Sequence, residues 1–391
     1  MWYLFRSIHI AAIAVLFLCP SPSESAALVR VPDQDVPIFH DDRSQEELNQ
    51  AIAQSLAYLN SRPADIIIRM GDQKVTVQRL IQTLVSFQKL LDANLSDQEL
   101  QQKIIRDFLV FQAVGSNGSN LDHTMLVTGY YQPVFQGSLE KKPPFLYPVY
   151  APPPDLIIKP GKGGEKKQTG RMKDGHFITY WTREEIDTLG KASGNELAWL
   201  KDPLDVFFLH IQGSGLIRLG DGSLRSIHYA AGNGQPYRSI GKYMVATGRM
   251  RLEDASMETI RTYIETHPDE RREILFSNPS YIFFHWSPIS AAVGNLGRSL
   301  TPGRSIAVDQ TCFPAAGLAF LKTRQPLLES GKIIGRQPIQ RFVLVQDTGS
   351  ALKGPGRVDL FQGTGEQAGL VAGSMKERGT LYFLLLRFEA P

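Results

Sequence analysis

The 391-residue chain is poor in several features that usually announce a function. It has two cysteines, Cys19 and Cys312. Removal of an N-terminal segment would leave Cys312 alone, so no intrachain disulfide is expected and a buried core must hold the fold. The eight histidines, at 9, 40, 123, 176, 210, 228, 267 and 285, show no His-x-His or His-Glu-x-x-His spacing. With no cysteine cluster beside them, the chain offers no recognisable metal site, and none is expected. A net charge of +3, with lysines and arginines spread along the sequence, gives no electrostatic footprint for a nucleic-acid partner. Internal repeats and low-complexity tracts are absent. What is present is an ordinary globular composition, 42% apolar and 21% charged, long enough for two domains or slightly more.

The first residues read as an export signal. Arg6 precedes the apolar run "IHIAAIAVLFL", too short to span a bilayer comfortably, and "SPSESAAL" follows it. Two outcomes stay open: cleavage around Ser25 to Ala27, giving a soluble product after a signal of residues 1–27, or lipidation at Cys19. Leu18 stands where lipoprotein signals carry a small residue, which disfavours the second. Membrane contact is expected only with that lipid.

Helices are expected next. Ser44 with Glu47 and Ser96 with Glu99 have capping-box spacing. The first box opens a stripe of Leu48, Ile52, Leu56 and Leu59, and the second a stripe of Leu100, Ile104, Phe108 and Phe111. From about Leu126 the pattern changes to short runs of β-branched and aromatic residues cut by glycine and proline. "LVTGYYQPVF", "DVFFLHIQGSG" and "GLIRLGDGSLRSIHYA" read as strands, the last as a hairpin turning at Asp221-Gly222. "METIRTYIETHPDERREILF" reads as helix broken at Pro268. "RSIAVD", "RFVLVQD", "RVDLFQG" and "GTLYFLLLRF" return to strand, and "KPGKGGEKK" (159–167) reads as a basic, glycine-rich loop.

Two motifs are decoys. Asp347-Thr348-Gly349 after an apolar run is how an aspartic protease introduces a catalytic carboxylate, but that chemistry needs two such loops. Only one is present, and Gln346 is polar where the protease strand is apolar. "GTGEQA" (363–368) matches part of a dinucleotide fingerprint, yet the short tail after it leaves no room for a βαβ unit. Carboxylates remain: Asp309 ends "SIAVD", Asp347 ends "FVLVQD", and Asp359 sits in "RVDLF". Each is a turn or cap candidate by itself. Three of them beside glycine turns, with apolar flanks that desolvate a carboxyl and raise its pKa, point to a site.

Five blocks carry a resemblance: "TGYYQP" (128–133), "FFLHIQGSGLIRLGDG" (207–222), "NGQPYRSIGKYM" (233–244), "NPSYIFF" (278–284) and "QDTGSALKGPGRVDLFQGTG" (346–365). In that order, from about Thr128 to the C-terminus, the chain resembles the membrane-bound lytic murein transglycosylase A family, whose C-terminal part is a three-aspartate barrel. The resemblance implies a mainly β fold with N-terminal helices: a double-psi β-barrel from residues 40–128 and 285–391, with a second β domain, 129–284, inserted and a groove between them. It implies an exported enzyme, periplasmic or attached to the outer membrane, that meets peptidoglycan strands and proteins of the wall synthesis or division machinery. The bond cut is the β-1,4 link between N-acetylmuramic acid and N-acetylglucosamine.

The same resemblance assigns the acid to Asp359, with Asp347 and Asp309 as catalytic neighbours. A hydrolytic glycosidase usually needs two carboxyls. A lytic transglycosylase uses the muramic acid C6 hydroxyl as nucleophile, so one aspartate serves as acid and then base, and no cofactor is required. Thr128, Tyr130, Tyr131, Gln212, Tyr237, Arg238 and Gln362 lie in the matching blocks and are the substrate-binding candidates, since glycan clefts combine aromatic faces with hydrogen-bonding groups. Of the adjacent Tyr130 and Tyr131, strand alternation lets only one face a groove. Two other readings stay open: a two-carboxylate hydrolase, and a non-catalytic glycan-binding barrel.

Overall fold

The computed structural model describes residues 27–388, apart from 94, 116–122, 162–166, 256, 290 and 350. The export segment with Cys19, and most of the 159–167 loop, lie outside the described residues. No helix among those described is long and apolar enough to cross a membrane.

After a short strand, Leu28–Arg30, the N-terminal part carries three α-helices. Gln45–Leu59 starts where the Ser44 side chain accepts from the Glu47 N–H, burying Leu48, Ile52 and Leu59. Its capping box is half closed, because the Glu47 carboxylate turns outward to Arg43. Val77–Asp92 follows, then Asp97–Asp107, where Ser96 and Glu99 close both halves of the box. The last helix is shorter than its apolar stripe suggested. Phe108–Ala113 is a strand, paired antiparallel with the far end of the chain from Phe108↔Leu386 to Gln112↔Tyr382. Phe108, Leu109, Val110 and Phe111 are all buried, and a run buried on both faces has no alternation to distinguish strand from helix.

Six strands close into a barrel. Starting from Lys376–Leu386, the order passes through Leu318–Glu329, Lys332–Asp347, Ser305–Ala307, Arg357–Thr364 and Met125–Gln132, and the last pairs back onto Lys376–Gly379. Closure removes the open sheet edges that would otherwise invite association. Leu318–Glu329, half of a long hairpin, was not marked by the sequence reading. The tail after "GTGEQA" also holds more than expected: a helix, Glu366–Ser374, and then the closing strand. It is still no dinucleotide unit. Arg357–Thr364 runs parallel to Met125–Gln132 while Lys376–Leu386 runs antiparallel to it, so the two strands flanking the helix oppose each other.

Buried polar ties fix the N-terminal helices to this barrel. Gln346, the residue at odds with a protease strand, is fully buried and donates to Ala51 O at 2.7 Å and Ser55 Oγ at 3.0 Å. Arg304, also fully buried, bonds Asp41 at 2.6 Å and the Phe342 carbonyl at 2.8 Å.

A second core occupies the chain between the barrel's entry and return. Its six-stranded sheet runs in the order 282–287, 224–232, 214–218, 134–138, 196–200 and 147–150. The hairpin turns around Asp221, whose carboxylate accepts from Ser223 N–H, and around Gly222 at φ +84°. Pro268 separates the helices Met257–Thr266 and Arg271–Phe276, as its missing donor requires. "DVFFLHIQ" corrects the expectation of a strand. It lies in a helix, Pro203–Gln212, capped by Asp202, started by Pro203 and ended by Gly213 at φ +73°. Val206 to His210 are all buried, so this helix shows an unbroken apolar run like that of an interior strand.

Candidate active site

The two cores face each other across a cleft of about 1000 Å³. On the barrel wall, strand pairing sets four residues in one row: Asp347 lies opposite Ala307, Ala307 opposite Asp359, and Asp359 opposite Thr128. Neighbouring strands are about 4.8 Å apart, so the two aspartates are separated by the width of one strand. That strand carries only a methyl group at this level, which leaves a notch between them.

Asp359 sits in a polar cradle. Arg357, two residues earlier and therefore on the same strand face, donates to Oδ1 at 2.9 Å and to Oδ2 at 3.1 Å. Thr128 donates its hydroxyl to Oδ1, and Arg357 also reaches the Thr128 oxygen at 3.1 Å. Burial raises the Asp359 pKa, while the Arg357 charge and the Thr128 hydrogen bond restrain the rise. Asp347 differs in kind. Its Oδ1 accepts backbone N–H groups of Asn295 at 2.8 Å and Thr348 at 2.9 Å, and burial pushes its pKa up to about 6. The Asn295 contact depends on Gly294, where a Cβ would come within 2.4 Å of the Gln346 carbonyl.

Asp309 stands outside the cleft lining. Its Oδ1 accepts from Thr311 N–H at 3.0 Å and Thr311 Oγ1 at 2.7 Å, and its Oδ2 from Gly354 N–H at 2.7 Å. Burial alone would raise its pKa, but these donors outweigh it and leave the carboxyl below its usual range. The carboxylate is thus committed to the loop between Asp347 and Arg357, the turn-forming use that any single aspartate favours. Of the three aspartates expected as one catalytic group, Asp309 is the one that does not line the cleft.

The substrate-binding candidates divide similarly. Thr128 touches Asp359 directly. Tyr130 packs against Phe361 with ring centroids 5.2 Å apart, and its hydroxyl, buried beside Asp347, makes no hydrogen bond of ordinary geometry. Burial first, and then the nearby Asp347 charge, raise its pKa well above the ordinary phenol range. Tyr131 lies on the other face of the strand, yet it too borders the cleft, correcting the expectation that only one could. Alternation does separate the pair, but here the chain crosses from one core to the other and meets cleft on both sides. The Tyr131 ring rests where a side chain on Gly369 would collide with it. Gln212 lines the opposite wall, and Tyr237 lines it near the cleft's end. Arg238 borders an adjoining cavity instead, and Gln362 points away to Met375 Sδ at 3.3 Å.

Two blocks quoted from the sequence explain the opposite wall. Fully buried Asn233 donates to the carbonyls of Trp181 and Pro279 and accepts from Tyr281 N–H. Asn278 accepts from the N–H groups of Arg238 and Ser280. These amides stitch "NGQPYR" to "NPSY" and so aim Tyr237 into the cleft. Arg357, His228 and His285 also line it and were not singled out from sequence. The Arg-Val-Asp spacing was the available signal for Arg357.

Known proteins resemble this chain in sequence and in fold. Residues 126–285 match the MltA specific insert domain and residues 304–385 the 3D domain. Membrane-bound lytic murein transglycosylase A of Vibrio cholerae is 31% identical over 276 residues, covering 70% of this chain and 68% of that protein. The chain belongs to the lytic murein transglycosylase A family. The Escherichia coli K12 member is 35% identical over 260 residues, 66% of this chain, and the matched stretch spans 64% of that relative's length. Among solved members of the family, a membrane-bound lytic murein transglycosylase from Agrobacterium tumefaciens superposes with a TM-score of 0.72 at 29% identity, covering 92% of this chain and 98% of that one. Escherichia coli MltA with bound chitohexaose gives 0.67 at 27% identity, covering 94% and 96%.

Proposed function

We propose that the protein is a peptidoglycan lytic transglycosylase that cleaves the β-1,4 bond between N-acetylmuramic acid and N-acetylglucosamine without water, leaving 1,6-anhydromuramic acid ends. The observation that carries this reading is the row of Asp347, Ala307, Asp359 and Thr128 across the barrel wall, facing a cleft large enough for several sugar rings. Binding of chitohexaose, a β-1,4-linked amino-sugar chain, by the Escherichia coli relative supports the substrate class.

Protonated Asp359 would donate to the glycosidic oxygen as the C1–O bond breaks. Positive charge then develops on the sugar ring, and Asp347, in its ionised form, is placed to stabilise it. The C6 hydroxyl attacks C1, and the Asp359 carboxylate takes its proton, which restores the starting acid. No water or net proton is consumed. Arg357 and Thr128, already bonded to the carboxylate, favour the ionised form in the middle of the cycle.

Closed β-ladders mixing parallel and antiparallel pairs support a double-psi barrel built from 40–128 and 285–391. The separate core supports an inserted domain at 129–284. Export to the periplasm belongs to the same reading, with intact mass of the mature chain deciding between lipidation at Cys19 and cleavage near Ala26.

A two-carboxylate hydrolase is the second reading, favoured by Asp347 sharing the cleft with a pKa near 6. Digestion of sacculi in heavy-oxygen water separates the two. Anhydro ends without label are expected, and labelled reducing ends as the main product would transfer the assignment to the hydrolase. Pelleting with sacculi and no digestion would leave a binding module.

A further inference from the structure

A second cavity, about 1260 Å³, adjoins the catalytic cleft and shares Ile211, Tyr237, Ala351 and Arg357 with it. Lys353 enters it from the barrel loop between Asp347 and Arg357, and Arg238, Lys242 and Arg272 enter from the inserted core. None of these four cations forms an ion pair among the described residues. Of the two carboxylates present, Glu273 is held by Arg249 at 2.9 Å and by the Tyr243 hydroxyl, leaving only Glu184 without a cationic partner. Four like charges around one concave space repel one another, and an incoming anion relieves that repulsion.

We propose that this cavity takes the peptide branch of the peptidoglycan strand, recognising its free carboxylates while the sugars occupy the catalytic cleft. The inference rests on the glycan-cleaving function proposed above. A branch attached to muramic acid leaves the sugar beside the scissile bond, and the cavity opens beside the carboxylate that would cut that bond. It is larger than a typical small-ligand pocket, as a chain of several residues requires. Its cations come from both cores, so a bound branch would bridge the two walls. Lysine and arginine ammonium and guanidinium groups are suited to several carboxylates spaced along a flexible chain.

The test compares peptide-bearing glycan strands with the same strands stripped of peptide by an amidase. For the wild type, KM should be lower on the peptide-bearing polymer. In the double variant Lys242→Gln/Arg272→Gln, KM on that polymer should rise about tenfold with kcat nearly unchanged, as loss of rim charges at a remote contact predicts. Turnover of stripped strands should stay as in the wild type, which also serves as the control for folding. Amidating the peptide carboxylates should raise the wild-type KM in the same way. Equal losses on both polymers, or none on either, would overturn the proposal. So would inorganic phosphate inhibiting both polymers alike in the wild type and neither in the variant, which would make the cavity a site for a free anion. A wild type that cleaves neither polymer would refute the glycan-cleaving function itself, and the peptide site would fall with it.

Discussion

The two walls of the cleft are built by different means. On the barrel wall, Asp347 and Asp359 stand on paired strands, and their spacing follows from ladder register. On the inserted wall, Tyr237 sits in a loop positioned by the side-chain amides of Asn233 and Asn278. Ladder hydrogen bonds are many and cooperative, so losing one ionisable side chain leaves the barrel wall in place. A loop held by two amides has no such redundancy. The barrel wall should therefore accept isosteric changes that abolish chemistry, whereas the inserted wall should lose shape and binding together.

The largest effect is expected at Asp359. Asp359→Asn should lower turnover of sacculi by about a thousandfold or more, the scale of a lost general acid and base, with thermal unfolding almost unchanged. A variant that retains activity would move the acid to Asp347. Next comes Asn233→Ala on the other wall. Loss of its buried hydrogen bonds should cost about 3 kcal/mol in urea unfolding and raise KM more than it lowers kcat. A loss in kcat alone would erase the contrast between the walls.

Asp347→Asn is expected to act in opposite directions on rate and stability. Its native pKa, near 6, lies above the unfolded value of 3.8. Between those values the native state holds more protons than the unfolded one, so the wild type loses stability as pH rises from about 4 to 6 and does not recover it above. The amide cannot ionise. The variant should therefore gain on the order of 2 kcal/mol over the wild type at pH 7 and little at pH 4, measured by urea unfolding at both values. Its rate should fall, less than for Asp359→Asn. The smallest change is Thr128→Val. Removing the hydroxyl that stabilises ionised Asp359 should move the alkaline limb of the pH–rate profile to higher pH, because the acid then keeps its proton longer. An unmoved limb would mean that the hydrogen bond in the free protein is broken when substrate binds.

Legibility in the sequence varied with how local each feature is. Asp347 and Asp359 were both marked by apolar flanks, and those flanks anchor their strands in the barrel core. Asp309 carries the same flanking pattern, yet its role depends on Gly354, forty-five residues away, whose N–H it accepts. Neither partner's sequence announces that bond. Tyr237 and Arg238 are adjacent and were read together, but Tyr237 borders both the cleft and the basic cavity while Arg238 borders the cavity alone.

By itself, the sequence determined what one or two turns of chain can settle: the caps at Ser44 and Ser96, the break at Pro268 and the hairpin around Asp221-Gly222. These depend on backbone donors, fixed φ angles and side chains within a few residues. Tertiary structure decided the rest. "FLVF" is a strand because Leu384 and Leu385 reach it from the other end of the chain, and "VFFLHI" is a helix because the inserted core surrounds it. The facing of Asp347 and Asp359 across Ala307 likewise needs three strands brought together from separate parts of the sequence. An apolar run records that it is buried; the partner that buries it, and hence the conformation that satisfies its backbone, is fixed only when the barrel closes.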